Sequence, residues 1–466
     1  MHVQLEIGER GTHAPDSTAS YVAGLVTDNY ADQYVRDVFL TVSLKLVIEQ
    51  PFKIPLVAAV VLFAHRDNKE VAQDIAAAAA SLLQEHLDKG RWREAKLFLR
   101  FLACTSRLYQ EDGVLPILDE LFNRAADLQT ASSEDVVGLE LVKIILLTIP
   151  YLVAYSDDTT LPQRIAELLE KTDIIANAPH QLVALVEPYI VTNDESEKPM
   201  ECPSVISLLQ QQLQDEANNG WPLKLIPRIF DPSFQSKKAA EANGDMDTTN
   251  GATNGAPASE KIAFPVITVP SSVNSGSRTI LPEVYFSLYA NVEVESVPPT
   301  SSIASTILRD ACVDTINTLD FNRITTARHL SEMDCFWAQD TFAKRATAFD
   351  KLRDVEDGRP TWKPEDVALD AIFSQIFLLP APEHRLVYYH SIITESCKIS
   401  PAAIAPSLGR AIRRFFRSID LVDLELAYRY MDWFAHHLSN FEFRWKWAEW
   451  CVPLNAAVNP SLTSCA

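Results

Sequence analysis

Residues 29–50 read NYADQYVRDVFLTVSLKLVIEQ. Val35, Val38, Phe39, Val42 and Leu46 recur three and four positions apart. That spacing gathers them into one stripe of a helix, because neighbours at i+3 and i+4 share a face. Pro51 ends this helix. Pro55 sits in the first turn of the next, where its missing N–H costs nothing. IPLVAAVVLFAHR (54–66) then reads as a central apolar helix. Residues 69–89, with alanine at every position from 76 to 80, form another, and Gly90 supplies a left-handed cap. Trp92 to Tyr109 and VLPILDELFNRAADL (114–128) continue the pattern. No alternating strand pattern interrupts residues 29–190. Antiparallel helix pairs about forty residues apart point to an α-α superhelix of HEAT-like units.

VVGLELVKIILLTIPYLVAY (136–155) is long enough to span a membrane. However, Glu140 and Lys143 lie a turn apart inside it, and Pro150 is expected to break it. A buried core helix fits better than a span. The N-terminus has no apolar signal segment. The seven cysteines are scattered, with no C-x-x-C pair, as in a reducing compartment. The chain therefore reads as soluble and intracellular.

Composition agrees with helices. The chain has 13 glycines in 466 residues, under half the usual ~7%. Three of them, Gly244, Gly251 and Gly255, fall in one low-complexity stretch. Lys and Arg total 41 and Asp and Glu 62, a net charge of −21. Phosphate binding needs clustered cations, so a chain this acidic is a poor nucleic-acid clamp. Any RNA contact is expected to run through a more basic partner.

The pattern changes at Thr192. TNDESEKPMECP (192–203) is a polar linker, one helix follows at 204–219, and residues 235–260 carry almost no large apolar side chain and are expected to be disordered. Residues 265–299 read as irregular and partly extended. Helical periodicity resumes near Ser302, through FNRITTARHLSEMDCFWAQDTFAKRATAFDKLRD (321–354) and on to Trp450. The expected organisation is a first helical solenoid domain at 20–190 and a connector at 191–280. A second helical domain follows at 281–452, then an unstructured tail at 453–466.

Candidate chemistry is sparse. His436 and His437 with Asp432 and Glu442 offer metal-ligand types, but adjacent helical residues point about 100° apart; core histidines are favoured and no metal or cofactor is expected. Cys104 and Cys397 have no oxyanion loop or elbow motif nearby, which favours buried structural thiols. No phosphate-cradling glycine motif is present. Trp433, Phe434, Phe441, Phe443, Trp445, Trp447 and Trp450 hold four of the eight tryptophans. They read as core rings around a turn at Leu438–Asn440 in preference to a base-stacking cage. Arg410, Arg413, Arg414 and Arg417 form a basic stripe opposite Ile412, Phe415, Phe416 and Ile419. In an acidic chain this stripe is the one candidate partner-binding surface; a solvated face with internal ion pairs is the plainer reading. No catalytic residue is assigned.

Two stretches carry a family resemblance: EQPFKIPLVAAVVLFA (49–64) with GRWREAKLFLRFLAC (90–104), and AIFSQIFLLPAPEHRLVYYHSIITESCKISP (371–401) with MDWFAHHLSNFEFRWKWAEW (431–450). Together they resemble the large subunit of the nuclear cap-binding complex, in a fungal-like form, over roughly residues 20–452. The resemblance implies helical domains similar to the middle domain of the translation-initiation scaffold, and no catalysis. It implies a small RRM-fold partner subunit that binds the 7-methylguanosine cap of RNA. The large subunit is then a platform linking capped RNA to splicing, export and nonsense-mediated decay, in the nucleus with shuttling to the cytoplasm. The alternative is a helical adaptor of translation initiation or nuclear transport with no cap dependence. The family continues into a third helical domain, which PLNAAVNPSLTSCA (453–466) does not resemble, and no basic localisation run precedes the first domain. The sequence is therefore expected to be a form lacking that domain.

Overall fold

A computed structural model describes all residues except 1–5, 12–13, 111, 189–201, 230–259, 291, 293, 354–357 and 451–466. The described residues are all-helical, with isolated bridges in place of strands. The expected disorder at 235–260, apart from Glu260, and the tail at 453–466 lie outside the described residues.

The first half contains α1 (Pro15–Asp28), α2 (Gln33–Glu49), α3 (Ile54–Asp67), α4 (Lys69–Lys89) and α5 (Trp92–Cys104). It continues with α6 (Leu115–Ala131), α7 (Val137–Tyr155), α8 (Leu161–Ala176) and α9 (Val205–Asn218). The second half contains α10 (Ile303–Thr318), α11 (Arg323–Ser331), α12 (Pro364–Ile376), α13 (Leu386–Ile399), α14 (Pro401–Arg417) and α15 (Leu424–Asn440). Helices pack on the next and on the next but one: α3 on α1, α4 and α5, α7 on α5, α6, α8 and α9, α12 on α10, α13 and α14. That is the two-layer arrangement of an α-α superhelix.

Local chemistry explains the boundaries. Proline opens α1, α3, α6, α8, α12 and α14, so these six prolines start helices instead of breaking them. Asp32, Asn68, Ser302 and Asp423 cap α2, α4, α10 and α15 with a side-chain oxygen. Gly90 closes α4 at φ 64°. Three helices are buried on nearly every face and form the centres of the layers: α3, α7 and α12. Among the described residues α7 is the one helix long and apolar enough to cross a membrane, and 94% of its 18-residue apolar window is buried inside the protein. It is a core helix.

Three expectations need correction. Pro150 does not break α7; the helix runs through it to Tyr155. Packing by α5, α6, α8 and α9 holds the helix across the lost hydrogen bond. The helical run expected over 321–354 stops at Ser331, and the chain then turns through short 3-10 segments with positive φ at Asp340 and Ala346. Its aromatic residues anchor this loop on Phe52, Phe336 by stacking and Trp337 edge-on. Finally, α1 precedes the first expected helix.

Residues 260–290 are an extended strap across the first half. Ile262 pairs with Leu108 and Gln110, and Thr268 exchanges two hydrogen bonds of 2.8 and 2.9 Å with the Gln84 side chain. The Asn274 carbonyl accepts from the Trp92 indole at 3.1 Å. Gly276 meets Gly90 so closely that a Cβ on Gly276 would stand 2.2 Å from the Gly90 carbonyl oxygen. The strap then enters the second half, where Asp370 of α12 accepts from Leu288 N at 2.7 Å and Ser287 Oγ at 2.8 Å. A single hydrophobic core runs through both halves.

Candidate functional site

The largest concentration of buried charge is a seam between the halves. Lys96 and Arg100 lie one turn apart on α5, and Asp310 and Asp314 lie one turn apart on α10. Lys96 Nζ stands 2.7 Å from Asp310 Oδ1 and 2.9 Å from Asp314. Arg100 reaches Asp310 at 2.5 Å and Asp314 at 3.5 Å. All four residues are buried. Around them Arg93 pairs with Glu383, Arg278 with Glu140 at 2.8 Å, and Lys143 with Glu283 at 2.7 Å.

Burial opposes the charge on Asp310, but Lys96 and Arg100 outweigh it and hold this carboxyl far below the usual range. Burial and the adjacent Asp310 carboxylate push Asp314 up. Burial also opposes ionisation of Glu140, which Lys143 and Arg278 nevertheless bring down to about 2. The four groups are paired with one another across the junction of α5 and α10. Desolvating them is costly, and their geometry fixes how α5 and α10 meet.

The arginine stripe lies on α14 as its spacing demands, yet three of its four side chains have intramolecular partners among the described residues. Arg410 pairs with the buried Asp366 and lies over the Phe349 ring at 4.4 Å. Arg413 meets Glu449 at 2.7 Å and covers Trp445 at 5.0 Å. Arg414 donates to the Ala290 carbonyl at 2.7 Å. Arg417 is exposed.

His436 and His437 diverge, His436 toward His390 at 5.3 Å and His437 onto Trp433 at 5.6 Å. Among the described residues no group of three or more His, Cys, Asp or Glu side chains is arranged to hold a metal. Cys104 and Cys397 are buried free thiols. Burial pushes both up, Cys397 to about 12, which leaves no reactive thiolate. The aromatic group divides. Trp433 is fully buried and packs edge-on to Phe373 at 4.8 Å, and Phe434 is buried beside it. Trp445 and Trp450 are half-buried, while Phe443 and Trp447 are exposed. The turn falls after Asn440, because α15 runs through the expected Leu438–Asn440 corner.

The sequence reading missed the seam. Its signal was present: two cations and two carboxylates, each pair spaced i, i+4, embedded in the apolar runs WREAKLFLRFLAC and ILRDACVDTI.

Residues 298–461 match the family model described as MIF4G like. Over most of its length the chain is similar to nuclear cap-binding protein subunit 1. It is 28% identical to that of Schizosaccharomyces pombe over 404 residues, which is 86% of this chain and 48% of the relative. It is 26% identical to nuclear cap-binding protein complex subunit 1 of Saccharomyces cerevisiae over 480 aligned residues, 95% of this chain and 53% of the relative. A shorter segment of 82 residues is 38% identical to nuclear cap-binding protein subunit 1 of Homo sapiens; it covers 18% of this chain and 10% of that relative. The chain spans about half the length of the curated fungal relatives it matches.

Proposed function

We propose that this chain is a non-catalytic scaffold of the nuclear cap-binding type. In this reading it supports a small RRM-fold subunit that binds the 7-methylguanosine cap. The assembly then links capped RNA to splicing, export and nonsense-mediated decay, and works in the nucleus with shuttling to the cytoplasm. The observation that carries the reading is the similarity to subunit 1 of two fungal complexes over 86% and 95% of the chain. A net charge of −21 suits a platform that delegates RNA contact to a partner. A superhelix whose halves share one core and a buried ionic seam suits a body that must keep its shape while others dock. The Arg413–Arg417 edge of α14 is the proposed contact for an acidic partner segment.

The test is co-purification with a small RRM-fold subunit, followed by titration of a 7-methylguanosine cap analogue into each protein alone and into the pair. Cap affinity should rise in the pair. Absence of a complex at micromolar concentration, or unchanged cap affinity, overturns the proposal. The MIF4G-like match at 298–461 favours one second reading, a translation-type or transport adaptor without cap dependence. That reading expects capture of a helicase or karyopherin irrespective of cap analogue.

A further inference from the structure

A cavity of about 590 Å³ lies between α5, α7, α10, α12 and the strap, within the ~300–1,000 Å³ range of clefts that take a ligand. Its ionic groups are already committed to one another. Arg93 is held by Glu383, Lys96 by Asp310 and Asp314, Lys143 by Glu283, and Arg278 by Glu140. A phosphate or nucleotide would have to displace a carboxylate at every cation it reached. The wall is therefore unsuited to an anion.

Uncommitted hydrogen-bonding capacity lies elsewhere in the cavity. Asn317, on the last turn of α10, is 7% exposed, and its Oδ1 has no hydrogen-bond partner among the described residues. Gln375, on the last turn of α12, is also 7% exposed. Its amide nitrogen reaches only a long 3.5 Å contact with Ser374 Oγ among the described residues. Both side chains line the cavity. A carboxamide presents an acceptor beside two donors, which is the complement of a peptide group. Leu147, Ile280, Leu378, Leu379 and Pro382 line the same space and offer apolar surface.

We propose that this cavity binds a short extended peptide segment of a partner protein. The Asn317 and Gln375 carboxamides hold the peptide backbone, and the leucine-rich wall takes apolar side chains. The recognised chemistry is neutral and apolar, in contrast to the charge of the chain as a whole. This proposal does not rest on the cap-complex reading, because the cavity is built entirely from this chain.

The experiment uses the full chain and the probe N-acetyl-leucine N-methylamide, which carries two peptide groups and one apolar side chain. Crystals soaked with it should show the probe in the cavity with a peptide group against Asn317 and Gln375. In solution the near-isosteric variants Asn317→Leu and Gln375→Met should each bind it about tenfold more weakly, the loss of one or two hydrogen bonds. Thermal unfolding of both variants should be unchanged or raised, since each removes a poorly satisfied buried group. Ordered water alone in the cavity, probe bound only elsewhere, or binding by both variants as tight as by the unsubstituted chain overturns the proposal. If Asn317→Leu fails to fold, Gln375→Met decides. Neither variant should alter cap-analogue affinity in a complex with the small subunit, so the two proposals fail separately.

Discussion

Lys96 Nζ and Asp310 Oδ1 face each other at 2.7 Å across the junction of the two helical halves, with both side chains buried. Neither residue has an alternative in solvent. Asp310 would keep Arg100 and Lys96 would keep Asp314, but removing either one leaves the buried seam with an unbalanced charge, at a cost of ~3–5 kcal/mol. Lys96→Met should therefore destabilise strongly, and so should Asp310→Leu. The double variant should recover part of the loss. Urea unfolding of all three checks this, and strictly additive losses would show that the pair is not coupled.

Phe415 is sandwiched between Phe377 at 4.6 Å and Tyr430 at 4.7 Å, and Trp433 is fully buried against Phe373. Phe415→Ala and Trp433→Ala should each cost ~3–5 kcal/mol. A loss below ~1 kcal/mol in either would mean that the packing collapses into the space left behind.

The arginines of α14 should rank by their partners. Arg417→Glu should leave stability unchanged. Arg413→Glu loses an exposed pair with Glu449, worth ~0–1 kcal/mol. Arg414→Glu leaves the Ala290 carbonyl without its donor and should cost ~1–3 kcal/mol. Denaturation midpoints give the order directly; a reversed order refutes the contacts assigned to this face.

Burial pushes His329, His390 and His437 down to about 4, against ~6.5 in an unfolded chain. With the folded values depressed, their contribution is complete above ~6.5 and is lost progressively as pH falls toward 4. Stability should therefore decline between about pH 7 and pH 4, before most carboxylates titrate. Unfolding midpoints across that window test the decline. His437 Nδ1 has no partner among the described residues and the ring stacks on Trp433, so His437→Phe should flatten the profile without loss at neutral pH. Below ~4.3 Glu140, depressed to about 2, adds a further loss of the same sign.

Gly90 and Gly276 pin the strap. Gly90 has φ 64° and a Cβ there would lie 2.4 Å from the Asn274 oxygen. Gly90→Ala should cost more than the ~1–2 kcal/mol of a left-handed residue alone, because the strap must also move. Hydrogen exchange should rise at the Trp92 indole and along 268–285, while α7 stays protected. Unchanged exchange in the strap would contradict the close approach.

The helices were legible because a buried stripe is written locally. Val35 to Leu46 announces α2, and a cap such as Gly90 or Asn68 announces an end. The first helix, α1, was missed because its stripe of Ala19, Val22, Ala23 and Val26 is built of small residues that bury little surface each. The seam was illegible for a different reason. Lys96 and Asp310 each look like an ordinary surface charge until another helix, 214 residues away, supplies the partner. The arginine stripe shows the converse. Its spacing correctly gave one face, but spacing does not reveal that Asp366, the Ala290 carbonyl and Glu449 reach that face first.

The strap also sets a timetable for synthesis. Gln84 meets Thr268 only after another 184 residues have been made. At ~5–20 residues per second that is a wait of about 10–40 s. Until then the emerging first half exposes the apolar seat later covered by Phe264 and Ile267. Premature termination between about residues 220 and 260 should thus yield a sticky, chaperone-dependent product, even though every helix of the first half has already been translated.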